Sequence, residues 1–215
     1  MNIDGQAWRT IWLEADQRSV GVIDQTLLPH RLITRTLTRC DQAADAISTM
    51  VVRGAPLIGV TGAYGLMLAL QDDASDAGLA QAFDQLNASR PTAVNLRWAL
   101  ERVRDLVQPL PEAERAAAAR REAALIADED VAMCEAIGEH GLDLFRTLAE
   151  QRPRERQNEP LQVLTHCNAG WLATVDWGTA LAPIYKAHRA GLNIHVWVDE
   201  TRPRNQGASL TAYEL

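Results

Sequence analysis

Two short segments of this 215-residue chain concentrate side chains able to do chemistry: Thr165-His166-Cys167-Asn168-Ala169-Gly170 and Asp199-Glu200-Thr201-Arg202-Pro203-Arg204-Asn205-Gln206-Gly207. Cys167 brings a thiol, whose reactivity follows its thiolate character. Arg202, Arg204, Asn205 and Gln206 bring donors suited to a phosphorylated or hydroxylated ligand, and a solvated polar loop accounts for them equally well. A third segment, Arg53-Gly54-Ala55-Pro56, opens an apolar run. Pro56 suits the first helical position, Gly54 permits close backbone approach, and Arg53 adds a charge-assisted fork, so the segment fits a phosphate cradle at a helix N-terminus. It also fits a plain helix start with a solvated arginine. Arg90-Pro91-Thr92 opens a further helix with Thr92 as its cap, and Arg90 gains meaning only beside Arg53.

Each cysteine and histidine has an ordinary reading to set against a chemical one. Cys167 ends a strand before the turn Asn168-Ala169-Gly170, where a neighbouring helix N-terminus would depress its pKa; an inert buried thiol is the competing reading, and it describes Cys40 and Cys134. His166 adjoins Cys167, but strand alternation sends the two side chains to opposite faces, so no Cys–His pair is expected. His30, His140, His188 and His195 lack metal-ligand spacing, and no metal is proposed. No Gly-x-Gly-x-x-Gly follows the first C-terminal strand, which disfavours a dinucleotide, although Asp199-Glu200 falls where such folds keep a ribose acid.

The elements that must position these residues are legible from periodicity. Trp8 to Leu13, Val20 to Leu28 and Thr34 to Thr38 form a small β-rich start. Helical spacing follows over Asp41 to Val52, Leu57 to Leu70, Leu79 to Asn87 and Ala93 to Val107. Glu112 to Glu150 reads as one long helix or two, with Gly138 or Gly141 as the interruption. Gln151 to Pro160 has a linker's composition and sets a boundary between units 1–155 and 156–215. Leu161 to Leu164 and Asn193 to Val198 are strands joined by a helix over Thr179 to Ala190, a βαβ unit with parallel strands. Thr211 to Leu215 begins another helix. The fold class is therefore α/β: a β-rich and helical N-terminal domain followed by an incomplete parallel-sheet domain, whose further strands would lie beyond Leu215.

Composition narrows the partners. With 47% hydrophobic residues the chain can bury a substantial core, and a net charge of -7 with pI near 5.2 argues against nucleic acid. Three unpaired cysteines suggest neither a disulfide framework nor zinc and suit a reducing cytoplasm. The N-terminus lacks the basic start and apolar core of a signal peptide. Met50 to Leu70 is the one membrane-like run, but Arg53, Gly54 and Pro56 break it, leaving less than the ~20 apolar residues a bilayer requires.

Taken together, Val52-Arg53-Gly54-Ala55-Pro56, Arg90 to Leu96, Thr165 to Gly170 and Asp199 to Gly207 resemble the methylthioribose-1-phosphate isomerase family. That family groups with regulatory subunits of the translation-initiation guanine-nucleotide exchange factor and with ribose-1,5-bisphosphate isomerases; both remain alternatives. The resemblance implies a helical N-terminal domain and a Rossmann-like C-terminal one. It implies conversion of 5-methylthioribose 1-phosphate to 5-methylthioribulose 1-phosphate in methionine salvage, without a cofactor, in a cytoplasmic homodimer. By the same resemblance Arg53, Gly54, Ala55, Arg90 and Gln206 hold the sugar phosphate. Cys167 then stabilises the transition state or moves a proton. The family's acid, an Asp in an Asp-Asn motif, falls beyond Leu215, so the chain as it stands is expected to be inactive.

Overall fold

The structure is a computed structural model describing residues 1–215. A two-stranded hairpin, β1 (Asn2–Ile3) and β2 (Gln6–Ala7), precedes a three-stranded antiparallel sheet. In that sheet β4 (Val20–Ile23) lies between β3 (Ile11–Leu13) and β5 (Thr34–Leu37). Its register sets Ile11 opposite Val22 and Val20 opposite Leu37, so these apolar residues are buried together. A 3₁₀ turn over Gln25–Leu27 follows, capped by the carboxylate of Asp24, which accepts from the Thr26 amide.

Four helices come next: α1 (Cys40–Ser48), α2 (Ala55–Asp72), α3 (Asp76–Ser89) and α4 (Val94–Val107). Helix α2 is apolar on all sides and nearly every residue from Leu57 to Leu70 is buried, which makes it the axis against which α1, α3, α4 and the long helix that follows them pack. No helix is long and apolar enough to cross a membrane. Thr92 does not cap α4, whose first turn follows Ala93 with no side-chain cap.

Helix α5 (Glu112–Glu150) runs unbroken for 39 residues, so Gly138 and Gly141 do not interrupt it. They are small for a packing reason. A Cβ at Gly141 would lie 2.3 Å from Pro183 Cγ, and one at Gly138 would lie 2.9 Å from the Lys186 stem, so the two glycines admit helix α6 (Ala182–Arg189) against α5. Lys186 then sits buried between Glu139, at 2.5 Å, and the face of Trp177.

After a 3₁₀ turn over Arg154–Arg156 the chain enters β6 (Leu161–His166), which pairs in parallel with β7 (Ile194–Asp199) through α6. This is the βαβ unit expected from the sequence. Alternation along the two strands buries part of Val163, Ile194 and Val196 on one face and leaves Leu164 and Trp197 exposed on the other. The chain closes with a π turn over Gly207–Thr211 that runs into a helical turn, Ala212–Glu214, so helical backbone begins earlier than the Thr211 start the sequence suggests. A smaller apolar cluster joins Ile23 and Leu28 of the N-terminal sheet region to Trp171, Leu172, Leu181, Ile184, Tyr185 and Leu210.

Candidate active site

The carboxyl ends of β6 and β7 lie side by side, with His166 paired in register to Asp199, so the two reactive segments leave the sheet at the same point. Each behaves differently from a plain strand-to-helix turn. After β6 the chain makes a 3₁₀ turn over Trp171–Ala173, and α6 begins only at Ala182, so Cys167 does not receive a helix N-terminus from its own turn. Instead Cys167 takes a left-handed backbone conformation (φ 62°) and its thiol donates to Gln206 Oε1 at 3.2 Å, immediately before the π turn. His166 points elsewhere: its Nδ1 lies 3.8 Å from Asp199 Oδ2 on the exposed side, in keeping with the absence of a Cys–His pair.

Glu200 fixes the second loop. Its carboxylate accepts from the amides of Thr201, Gly207 and Ala208 at 2.7–2.9 Å, and these bonds hold its pKa below the ordinary carboxylate value. The acid is thereby spent on shaping the loop that carries Gln206. Without it three amides would lose their partner.

Arg53 is 7% exposed and forms no ion pair. Its Nη1 donates to Asn168 Oδ1 and its Nη2 to Asn168 O at 2.7 Å, so a neutral amide orients the guanidinium. Burial pulls the Arg53 pKa down; nearby Cys167 and Glu214 push it up and Arg90 pushes it down again. A buried cation without a carboxylate partner calls for an anion. Asn168 is itself held: its Nδ2 donates to Thr211 Oγ1 at 3.0 Å and to Glu214 Oε1 at 2.9 Å. Glu214 also accepts from the Leu172 amide at 3.1 Å and from the Tyr185 hydroxyl, and its burial raises its pKa.

The sequence-derived residues are thus placed unevenly. A cavity of about 190 Å³ brings Arg53 and Gln206 together with Arg204, Gln25 and Thr49. Cys167 reaches this site through Gln206, and Arg90, at the C-terminal end of α3, lies near enough for its charge to act on Arg53. Ala55 is exposed at the first position of α2, beside free amides. Gly54 makes a close approach, but to protein: a Cβ there would fall 2.2 Å from the Ala173 carbonyl oxygen. Asn168, Glu214 and Gln25 were not singled out from the sequence. Asn168 had the appearance of a turn residue. For Glu214 the available signal was a lone acid inside the apolar stretch Leu210 to Leu215.

The model of the initiation factor 2 subunit family matches residues 51–215. Over 215 residues the chain is 60% identical to a methylthioribose-1-phosphate isomerase of Rhodospirillum centenum, covering 100% of this chain and 56% of that protein. It is 61% identical to one from Methylorubrum populi, of which it covers 58%. The chain therefore spans little more than half the length of the curated relatives it matches. Among solved structures, the delta subunit of translation initiation factor eIF-2B from A. fulgidus superposes with a TM-score of 0.81 at 38% identity, over 97% of this chain and 59% of that one. The 5-methylthioribose 1-phosphate isomerase of Pyrococcus horikoshii superposes with a TM-score of 0.80 at 37% identity, over 97% of this chain and 57% of that one.

Proposed function

This chain belongs to the initiation factor 2 subunit family, and we propose that it supplies substrate-binding and catalytic residues of an aldose–ketose isomerase converting 5-methylthioribose 1-phosphate to 5-methylthioribulose 1-phosphate in methionine salvage. One observation carries the reading: Arg53, buried and unpaired with any acid, lines the same cavity as Gln206, whose side chain accepts from the Cys167 thiol. An anion is wanted beside a thiol. The relatives at about 60% identity, named for this substrate, support that choice.

In the proposed reaction the phosphate rests on Arg53 and on the free amides at the start of α2, with Gly54 and Ala55 forming the turn and Arg90 adding positive field. Hydrogen moves from C2 to C1, the bond from C1 to the ring oxygen breaks, the ring oxygen gains a proton and the C2 hydroxyl loses one. Cys167 stabilises that transition or relays the proton, and Gln206 holds the thiol and the sugar. The further parts of the proposal are a division into units 1–155 and 156–215, a homodimeric assembly and a cytoplasmic location.

The test is direct. The chain, and a chimera in which the remaining C-terminal part of the Rhodospirillum centenum isomerase follows Leu215, are incubated with 5-methylthioribose 1-phosphate and with ribose 1,5-bisphosphate. Ketose formation is followed by NMR. Turnover of the methylthio sugar by the chimera is expected; a folded chimera that turns over neither sugar sinks the enzymatic reading in favour of a regulatory subunit.

A further inference from the structure

The loop after β7 carries two arginines, and the structure gives them different surroundings. Arg202 and Arg204 are both exposed, and neither an ion pair nor a hydrogen bond engages either guanidinium. Of the two, only Arg204 lines the cavity that Arg53 lines from the segment before α2. The base of the loop is fixed. Glu200 accepts from the Thr201, Gly207 and Ala208 amides, and the Asn205 amide donates to Thr201 O at 2.9 Å. Arg204 therefore projects from a tip tethered on both sides, with a flexible stem and a solvent-accessible fork that has no partner in the protein.

Charge gives that fork a use. The cavity is lined by Arg53 and Arg204, by polar residues that include Thr49, Gln206 and Ser209, and by no Asp or Glu. A phosphate monoester carries close to two negative charges near neutral pH, since its second pKa is about 6. Arg53, oriented by Asn168, supplies one positive charge from a fixed position, and Arg90 adds field without lining the cavity. A second guanidinium at the wall matches the remaining charge, and two planar forks can share the oxygens of one phosphate. Because the Arg204 fork is exposed and unpaired, it meets the anion without giving up a protein contact.

We propose that Arg204 is a substrate-binding residue whose guanidinium closes onto the phosphate that Arg53 holds, a fixed and a swinging arginine gripping one dianion. The assignment rests on the sugar-phosphate reading above and adds to it the residue that covers the anion. It also separates Arg204 from Arg202, its neighbour in the same loop, which stays in solvent.

Limited trypsin digestion and calorimetric titration of the 215-residue chain test this, with inorganic phosphate and 5-methylthioribose 1-phosphate as probes. Trypsin does not cut before proline, so Arg202-Pro203 is spared and Arg204-Asn205 is the one tryptic bond of the loop. The reference bond is Arg156-Gln157, exposed before β6 and so at the far end of that strand from the site. Phosphate at about ten times its Kd is expected to slow cleavage after Arg204 about tenfold, as the free fraction falls to about a tenth, and to leave cleavage after Arg156 within about twofold. Arg53→Met is expected to abolish that protection. Arg204→Met is expected to weaken both probes about tenfold, and Arg202→Met to change them by no more than about twofold. Cleavage after Arg204 that ignores bound phosphate overturns the assignment, whether or not the variants fold. Equal slowing at both bonds, the mark of general stabilisation, overturns it too, as does a folded Arg204→Met that binds both probes within about twofold of the unsubstituted chain. If the unsubstituted chain binds neither probe, the sugar-phosphate reading itself fails and takes the assignment with it.

Discussion

Gly54→Ala separates two reasons for a glycine before α2. Gly54 has φ 87° and ψ 135°, a region that a residue with a Cβ enters at a cost of about 1–3 kcal/mol. Its Cβ would stand 2.2 Å from Ala173 O and 2.5 Å from Ala173 Cα, against the ~3.5 Å at which such atoms rest. Both neighbours are backbone, so the turn over Trp171–Ala173 must move by about 1 Å, and overpacking of that order adds about 1–3 kcal/mol. A total of about 3 kcal/mol corresponds to a fall in Tm of about 6–12 °C in a chain of this size. Differential scanning calorimetry reads the shift, and urea unfolding with an unchanged slope confirms that it is stability that changed. Ala55→Gly, one residue on and exposed, is the control and should cost no more than about 1 kcal/mol. If Gly54→Ala loses phosphate binding yet melts within about 2 °C of the unsubstituted chain, the glycine serves the ligand alone and the contact with Ala173 is unimportant.

Arg53→Met should abolish measurable inorganic-phosphate binding in calorimetric titration, and Arg53→Lys should not restore it, because an ammonium cannot span both Asn168 acceptors; restoration by Lys would refute the fork geometry. Burial, helped by neighbouring Asp41 and Asp130, raises the Cys40 thiol to about 11 and the Cys134 thiol to about 12, so iodoacetamide at pH 8 should alkylate Cys167 first by peptide mass mapping, with phosphate slowing it. Cys167→Ser in the chimera should lower kcat far more than it changes KM, and unchanged turnover would remove Cys167 from the chemistry. Burial raises the Glu214 carboxyl above its ordinary 4.5, so its contribution to stability is full below that value and is lost as pH rises through the folded-state pKa. Urea unfolding from pH 4 to 8 should therefore show a smaller loss of stability with rising pH in Glu214→Gln, and parallel curves would contradict the buried carboxyl.

The helices were legible because their chemistry is local. Leu96, Leu100, Val103 and Val107 keep helical spacing, and they are the buried face of α4. The βαβ unit was legible because two short apolar runs flank a helix ended by Gly191. Gly138 and Gly141 misled, since a glycine that breaks a helix and a glycine that admits another helix look alike until Pro183 and Lys186 are placed. The Arg53, Cys167 and Gln206 segments announced themselves by residue type. Their connection did not, because Arg53 meets Asn168 across 115 positions and Asn168 meets Glu214 across 46 more. Gln25 was invisible for a different reason: an unpaired acceptor is a property of surroundings, and nothing in Asp24-Gln25-Thr26 reports that Leu172 takes the nitrogen and leaves the oxygen.

The choice of Asn168 as the partner of Arg53 bears on what the site can hold. A carboxylate at the same position would have oriented the guanidinium equally well and cancelled its charge, leaving little reason for an anion to enter. The amide orients without cancelling. Glu214, the nearest acid behind it, is separated from Arg53 by that amide and is pushed by burial toward its neutral form, with the Tyr185 hydroxyl against one oxygen and the Leu172 and Asn168 donors against the other. The network thus keeps positive charge at the cavity wall while tying β6, α6 and the last helical turn to the segment before α2. Since the same Asn168 follows Cys167 directly, any movement that aligns Arg53 also sets the backbone that presents the thiol to Gln206. In the proposed reaction, binding of the anion and placement of the thiol are consequently one structural event, shared between the helical part of the chain and the strand ends.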